Sequence, residues 1–555
     1  MKSVLIIFFL IVTCYTTRAQ TFKLEINGES KPDNSVIDAI GYEKIHKNAK
    51  SISDEVKLFT EKLQLNGYFE NELIETIQKK DSLFTAKFKL GKPTTTISIY
   101  CNTSKNILLK EIWGFKKDTE KIPVKEVGYF MKKLLNAVEQ KGYALSKLKL
   151  INLHKHKKEL IGELSIILDE KRKLNDIVIK GYDKFPEGYL RHLKKKYRNR
   201  IFNQENLKNI YTDFNKIQFI KQSRYPEILF TKDSTNIYVY LEKSKTNSFD
   251  GFIGFSNDEN KKVIFQGYID LTLINTLNNG EKMALFWKSD GKDQKTFNAS
   301  LEIPYIFKSP LGIKSQLNIF KQDSTFQNTK TAIDLGYYFS NNSKLYLGYD
   351  ATESNDIKNA NTATLSDYKN HYTTTTFEFK EYANTDFLFP EKTTVFFKLG
   401  TGKRIAKTQY NYQYFGEFDV NYHFYLNQKN AVNLKSQNYY LASNDVIVNE
   451  LFRFGGINSI RGFNENNLQC NALTSIMTEY QYLIAPTFYI NSIVDYAYFQ
   501  DKSTNKSGKL LGLGFGFGLL TKNGLFNLVY ANGSNDDQAI QLSNSIVHIS
   551  LKTTF

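Results

Sequence analysis

The chain changes its period midway. Up to about residue 247, helical and extended stretches alternate; from Phe249 on, the helical period disappears. The second half consists of short runs that alternate apolar and polar positions, separated by clusters of Asn, Asp, Ser, Lys and Gly. That is the pattern of strands joined by turns. Sixteen such runs are counted, the first at 250–257 and the last at 545–555. An even number of antiparallel strands of about ten residues suits a sheet closed in lipid, because only closure leaves no edge of unpaired backbone groups. The pattern therefore predicts an all-β transmembrane barrel of 16 antiparallel strands over 248–555. Near the carboxyl end Leu511, Leu513, Phe515, Phe517 and Leu519 share one face, while Gly512, Gly514, Gly516 and Gly518 share the other. A period of two sends the first set to lipid and leaves the lumen wall bare at the second. In the last run Val547, Ile549, Leu551 and Phe555 point out, with His548, Ser550, Lys552 and Thr554 in.

The first half divides into three windows of similar organisation, at 21–92, 93–173 and 174–247. The first predicts a strand from Thr21 to Ile26, a helix from Ser53 to Leu65, and strands Glu72 to Gln78 and Leu83 to Leu90. The second predicts strand Thr96 to Tyr100, helix Val124 to Gln140, and strands Leu145 to Asn152 and Glu159 to Leu168. The third predicts strand Asp176 to Lys180, two basic helices (Glu187 to Tyr197 and Gln204 to Asn215), then Glu227 to Thr231 and Asn236 to Leu241. Helical parts carry apolar residues at i, i+3 and i+4, as in Val56, Phe59 and Leu63. Gly67 and Gly142 fall where a helix would end in a left-handed cap.

Composition narrows the class. With 42 Phe, 35 Tyr and 41% hydrophobic residues, the chain is not a disordered one. Its mean hydropathy of −0.42, and the absence after residue 20 of a long apolar stretch, exclude a polytopic helical membrane protein. Residues 1–20 read as a secretory signal peptide: Lys2, an apolar run from Val4 to Val12, and Ala19 before a cleavage site. Cys14 leaves a lipoprotein as the alternative. Cys101 and Cys470 are distant and read as free thiols. The net charge of +17 belongs to the first half, since residues 248–555 hold 28 basic and 28 acidic residues. The densest basic run, Arg191 to Arg200, suits anionic lipid or acidic substrates better than nucleic acid in an exported protein, and a solvated helix face equally well. No nucleophile elbow, zinc-binding helix or phosphate loop occurs, so neither enzyme activity nor a cofactor is expected. His154 and His156 read as surface residues rather than metal ligands.

Between the eleventh and twelfth runs, Ala442 to Leu468 lacks a strand pattern and contains the string Phe452 to Phe463, with Gly455, Gly456, Ser459, Ile460, Arg461, Gly462 and Phe463. In that position the string resembles the (V/I)RG(F/Y) motif of the BamA/TamA superfamily of outer-membrane assembly and translocation proteins. The corners Leu65 to Ile74 and Gln140 to Leu150 resemble those of the α+β POTRA domain (polypeptide-transport-associated); Phe219 to Phe230 in the third window is a less specific match. The resemblance covers essentially the whole mature chain. It implies three POTRA-like periplasmic domains ahead of the barrel, and a loop folded back into the lumen whose arginine pairs with inner-wall acids. Period-two alternation turns Asp495 and Glu479 inward, making them the expected partners of Arg461. The setting of Asp495 resembles the family's strand-thirteen aspartate motif, from which Tyr496 and Ala497 depart. Phe555 resembles the carboxyl-terminal signal of such barrels.

The resemblance also implies partners: unfolded outer-membrane or secreted polypeptides, outer-membrane lipid, and accessory periplasmic proteins. The junction of the first strand, with Gly251 and Gly254, and the last would be a weak seam for client strands. Three POTRA-like units are more than dedicated secretion pores usually carry and fewer than BamA has, which favours a TamA-like assembly factor. The alternatives are a dedicated two-partner-type secretion pore and a passive outer-membrane channel.

Overall fold

A computed structural model describes residues 21–555 except 104–106, 116, 157–158, 258–262, 290–293, 360–361, 363, 384–385, 387, 408, 523, 537 and 542–544, and describes only the backbone of 252–257 and 263–266. The expected signal peptide, with Cys14, lies outside the described residues. Two compact units emerge. One runs up to Lys173 and includes Ile201–Glu205; the other comprises Leu174–Arg200 and Asn206–Phe555.

The first unit holds two α+β folds of the same topology. The first comprises β1 (Phe22–Gly28), α1 (Lys31–Ile40), β2 (Ile45–His46), α2 (Ala49–Leu65), β3 (Glu72–Lys80) and β4 (Leu83–Lys89), with sheet order β2-β1-β4-β3 and β1 parallel to β4. Leu24, Ile26, Val56, Phe59, Leu63 and Phe88 are buried between sheet and helices. Helix α2 stops at Gly67, whose φ of +93° and close approach to the Thr94 carbonyl exclude a side chain. The second comprises β5 (Thr96–Tyr100), α3 (Ile107–Trp113), β6 (Thr119–Pro123), α4 (Val127–Gln140), β7 (Lys147–His156) and β8 (Glu159–Ile167), in order β6-β5-β8-β7. Strands β3 and β7 are sheet edges, with Leu73, Ile74, Ile77, Ile151 and Leu153 exposed along them. Burial pushes the Cys101 thiol up to about 11.

The second unit begins with a third α+β fold: β9 (Asp176–Lys180), α5 (Glu187–Tyr197), α6 (Gln204–Asn215), β10 (Ile220–Gln222), β11 (Glu227–Phe230) and β12 (Thr235–Lys243), with β9 parallel to β12. Relative to the sequence expectation, each α+β fold gains short elements: α1 with β2, α3 with β6, and β10.

The barrel strands are β13 (Ser248–Asn257), β14 (Val263–Ile274), β15 (Lys282–Ser289), β16 (Gln294–Ile306), β17 (Leu311–Gln322), β18 (Phe326–Tyr338), β19 (Ser343–Asp356), β20 (Tyr368–Tyr382), β21 (Glu391–Ala406), β22 (Gln409–Tyr425) and β23 (Asn430–Ala442), followed after an excursion by β26 (Ala472–Ala485), β27 (Phe488–Asp501), β28 (Lys506–Thr521), β29 (Gly524–Asn535) and β30 (Ile546–Thr554). All sixteen close into one antiparallel barrel. Strands β24 (Phe452–Phe454) and β25 (Leu468–Cys470) pair with each other in the excursion, which the sequence pattern did not reveal.

Outward positions are apolar and exposed, among them Ile333, Leu335, Leu347, Leu399, Ile476, Val494, Phe515, Val547 and Ile549. Inward positions carry buried polar and charged groups such as Asp334, Asp350, Lys398, Gln413 and Asp495. An apolar band outside and a polar lumen inside make this a membrane-spanning barrel. Closure is uneven. Among the described residues, strands β13 and β30 pair only at Ser248 with Thr554 and Phe249 with Thr553, whereas β13 pairs with β14 along its whole length. Beyond Phe249 the contact to β30 continues through a side chain, with the Leu551 N–H donating to Asp250 Oδ1 at 3.4 Å. Phe555 is half exposed, its N–H bonded to the Asn247 carbonyl.

Candidate functional site

The excursion between β23 and β26 lies inside the barrel. Its β24–β25 hairpin buries Phe454, Ile460 and Cys470 against Leu473, Met477, Ala497 and Leu510 of the wall, with Phe463 packed alongside. Ile457 packs on Ile493, Val529 and Ala531. The tip turns at Gly455 and Gly456, whose φ values of +100° and +104° disfavour any side chain; a Cβ on Gly456 would lie 2.3 Å from Glu465 Oε2. The Gly456 N–H donates to the Ile460 carbonyl and the Ser459 N–H to the Gly456 carbonyl, fixing the turn.

Arg461 projects from this tip into the wall formed by β26 and β27. Its Nε donates to Asp495 Oδ2 at 2.7 Å, and its own backbone N–H donates to the same oxygen at 3.0 Å. Nη2 donates to Asp495 Oδ1 and Nη1 to Glu479 Oε1. Arg461 is 5% exposed and Asp495 wholly buried. A buried guanidinium requires this: without carboxylates it would be a desolvated, unpaired charge. Glu479 in turn accepts from Gln481, which bonds His423 at 2.9 Å. Ser459 Oγ donates to Gln437 Oε1 at 2.8 Å, and Lys435 donates to the Asn458 carbonyl. The arrangement is a clasp: it positions a hairpin and contains no nucleophile aligned with a base.

The glycines differ in role. At Gly512 a Cβ would lie 2.3 Å from the Arg461 carbonyl, so the hairpin backbone rests directly on β28 there. Gly514, Gly516 and Gly518 do not meet the hairpin; the space at Gly518 is taken by the Tyr489 ring, and that at Gly516 borders Asn491 and Leu528. The wall is thus not bare along its length, because larger inward side chains of β27 and β29 fill it. The second glycine under the hairpin is Gly533 of β29, against Gly462 and Phe463. Gly462, at φ +87°, leaves no room for a side chain above the Asn532 carbonyl carbon.

A second attachment holds the root of the excursion. Arg404 of β21 forms a buried ion pair with Glu450, whose other oxygen accepts from Gln413 at 2.9 Å. Next to it, Asn449 donates to Ser354 Oγ at 2.6 Å and to the Ser366 carbonyl, and its own carbonyl accepts from Asn328 at 2.6 Å. Lys288 reaches Glu465 from β15. The excursion is therefore fastened along a continuous stretch of wall, on β18–β23 as well as on β26–β29. Sequence reading missed Arg404, Glu450, Asn449 and Gly533; the inward alternation of Arg404 with Lys398 was the available signal.

No family model and no curated protein matches this sequence. Among solved structures, the chain is similar to CdiB from Acinetobacter baumannii at 14% identity, over 83% of this chain and 90% of that chain, with a TM-score of 0.51. It is similar to CdiB from Escherichia coli at 11% identity, over 91% and 97%, with a TM-score of 0.50. It also matches BamA from Haemophilus ducreyi lacking POTRA domains 1-3 at 15% identity, over 82% and 99%, with a TM-score of 0.49. The architecture expected from the sequence is the one the chain has, a closed sixteen-stranded barrel behind α+β units, and its fold is that of the CdiB structures.

Proposed function

We propose that this protein is a non-enzymatic factor of the bacterial outer membrane that inserts or translocates other polypeptides, with its α+β units in the periplasm. The observation that carries this reading is the lumen hairpin clasped by Arg461 to Asp495 and Glu479. A passive channel gains nothing from a hairpin fastened across its lumen. A polypeptide-handling barrel gains a mobile element whose position can be coupled to its wall.

Two further features support the reading. The β13–β30 ladder is so short that most of the β30 edge has no strand partner, which suits transient pairing with a client strand. The exposed edges β3 and β7 offer the same chemistry in the α+β units.

The experiment is depletion of the protein followed by outer-membrane and secreted proteomics. Broad loss of barrel proteins supports an insertion factor, and loss of one secreted protein supports a dedicated export pore. Unchanged proteomes together with lost solute permeability would refute the proposal in favour of a channel.

A further inference from the structure

The outward face of a membrane barrel should be apolar through the membrane and amphipathic at its two rims. On β19–β22 one rim carries a lysine and a histidine set among its aromatics. His371 of β20, Lys403 of β21 and Tyr412 of β22 stand directly opposite one another in register, forming a row across three strands. Tyr349 of β19 extends the row: its hydroxyl and His371 Nδ1 share a hydrogen bond at 2.9 Å, with the two rings stacked. Lys403 Nζ lies 5.7 Å from the Tyr410 ring centre. Tyr410, Tyr412 and Tyr414 are 69%, 75% and 60% exposed, too open to be anything but surface aromatics. Just below, the outward positions of β20 and β21 carry Thr373, Thr375 and Thr401.

The depth of the row can be estimated. On β22 the outward tyrosines recur at Tyr422 and Tyr412, ten residues apart. That is roughly 34 Å along a strand, or about 26 Å along the membrane normal at a tilt near 40°. The row therefore lies one apolar thickness above the opposite aromatic belt, at head-group height. The third α+β fold meets the barrel at the other end, where Tyr182 bonds Asn275 and Tyr189 packs on Tyr305. The row thus faces the leaflet distal to the third α+β fold.

Neither Lys403 nor His371 has a carboxylate partner among the described residues. Glu353, the outward carboxylate nearest along β19, is engaged by Lys369 at 2.9 Å. A lysine held over one tyrosine and beside another, with histidine, tyrosine and threonine donors around it, matches the oxygens of a phosphate ester.

We propose that the row His371–Lys403–Tyr412, flanked by Tyr349 and Tyr410, binds the phosphate of an anionic lipid in the outer leaflet. The inference rests on the proposed outer-membrane location. It assigns the row a ligand that ordinary interfacial tyrosines do not need, because it supplies positive charge where the aromatic belt alone would anchor the barrel.

The test uses the purified full chain in phosphatidylcholine vesicles, with and without added lipid A, and follows the temperature at which the folded barrel is lost on a gel. Lipid A should raise that temperature for the wild type in a dose-dependent way. The pair Lys403→Gln with His371→Gln should need a markedly higher dose, roughly fivefold for the lysine charge removed. Lys149→Gln, on β7 and outside the barrel, should behave as the wild type. An equal rise in the double variant, or none in the wild type, overturns the proposal. Failure of the wild type to float with vesicles at all would instead refute the membrane-spanning reading.

Discussion

Arg461 meets Asp495 twice, once through its guanidinium and once through its own backbone N–H, and both bonds end on the same carboxylate oxygen. Asp495 therefore holds the hairpin's backbone as well as its charge. Arg461→Ala should give a folded barrel with impaired client assembly or secretion, leaving the buried Asp495 and the partly buried Glu479 without their cation at a local cost of about 3–5 kcal/mol. Asp495→Ala should displace the hairpin further, because it removes the backbone anchor too. Arg461→Lys should not restore function, since an ammonium cannot reproduce the fork that serves two carboxylates. Normal client levels in Arg461→Ala at wild-type protein abundance would contradict the assigned role.

The glycines give a sharper contrast. Gly512→Ala places a methyl group 2.3 Å from the Arg461 carbonyl, a backbone atom that cannot rotate away. The hairpin should shift off β28 and become accessible to protease added outside. Gly516→Ala, whose new methyl meets Leu528 and Asn491 instead, should leave the hairpin protected. Equal protection in both variants would show that the hairpin does not rest on Gly512.

The root attachment predicts that the hairpin is held independently of its tip. Arg404→Ala should leave Glu450 buried without its cation and loosen the root while the Arg461 clasp persists. Combined with Arg461→Ala it should free the hairpin. Single-channel conductance is the measurement: small changes in each single variant and a large open current in the double one. Full opening by Arg461→Ala alone would mean that the root carries no weight.

These attachments differ in how visible they were along the chain. The barrel was legible because membrane strands write their two environments at every second position, so alternation alone turns Asp495 and Glu479 inward. They also lie on neighbouring runs, which brought them to one wall. Arg404 and Glu450 escaped because Glu450 sits in a stretch without periodicity, where no alternation says which way a side chain points. Gly533 escaped because the apolar alternation fades into Asn532, Gly533, Ser534 and Asn535, which look like a turn cluster, while the strand continues to Asn535 under the hairpin. In the α+β half the long helices were legible from their apolar faces. Helix α1 was not: Pro32, Asp33, Asn34 and Ser35 are weak helix formers, yet Ser30 and Asp33 cap it reciprocally and proline is tolerated in a first turn. Strand β2, two residues long, is too short to show a period at all.

The short β13–β30 ladder predicts that the seam must open for client handling. Ser248 and Thr554 stand directly opposite, as do Phe249 and Thr553. Cysteines at Ser248 and Thr554 should cross-link under oxidation, block client assembly or export, and release the block on reduction. The hairpin should stay protected throughout. Undiminished client handling in the fully cross-linked protein would exclude this seam as a route.

The last prediction concerns the third α+β fold and pH. Asp213 of α6 is buried, which alone would raise its carboxyl, but hydrogen bonds from Lys196 and Tyr197 and the nearby Lys216 hold it below the ordinary carboxylate value. A carboxyl whose folded value is depressed contributes stability that is present above its unfolded value, near 4, and lost as pH falls through the folded one. The contact between α5 and α6 should therefore be undiminished at neutral pH and weaken on acidification below about 4. Hydrogen exchange across Glu187–Tyr197 and Gln204–Asn215 in the full chain reads this directly. The wild type should lose protection in acid, while Asp213→Asn should be less protected at neutral pH and nearly independent of pH in that range. An identical acid response in the two proteins would place the titrating group elsewhere.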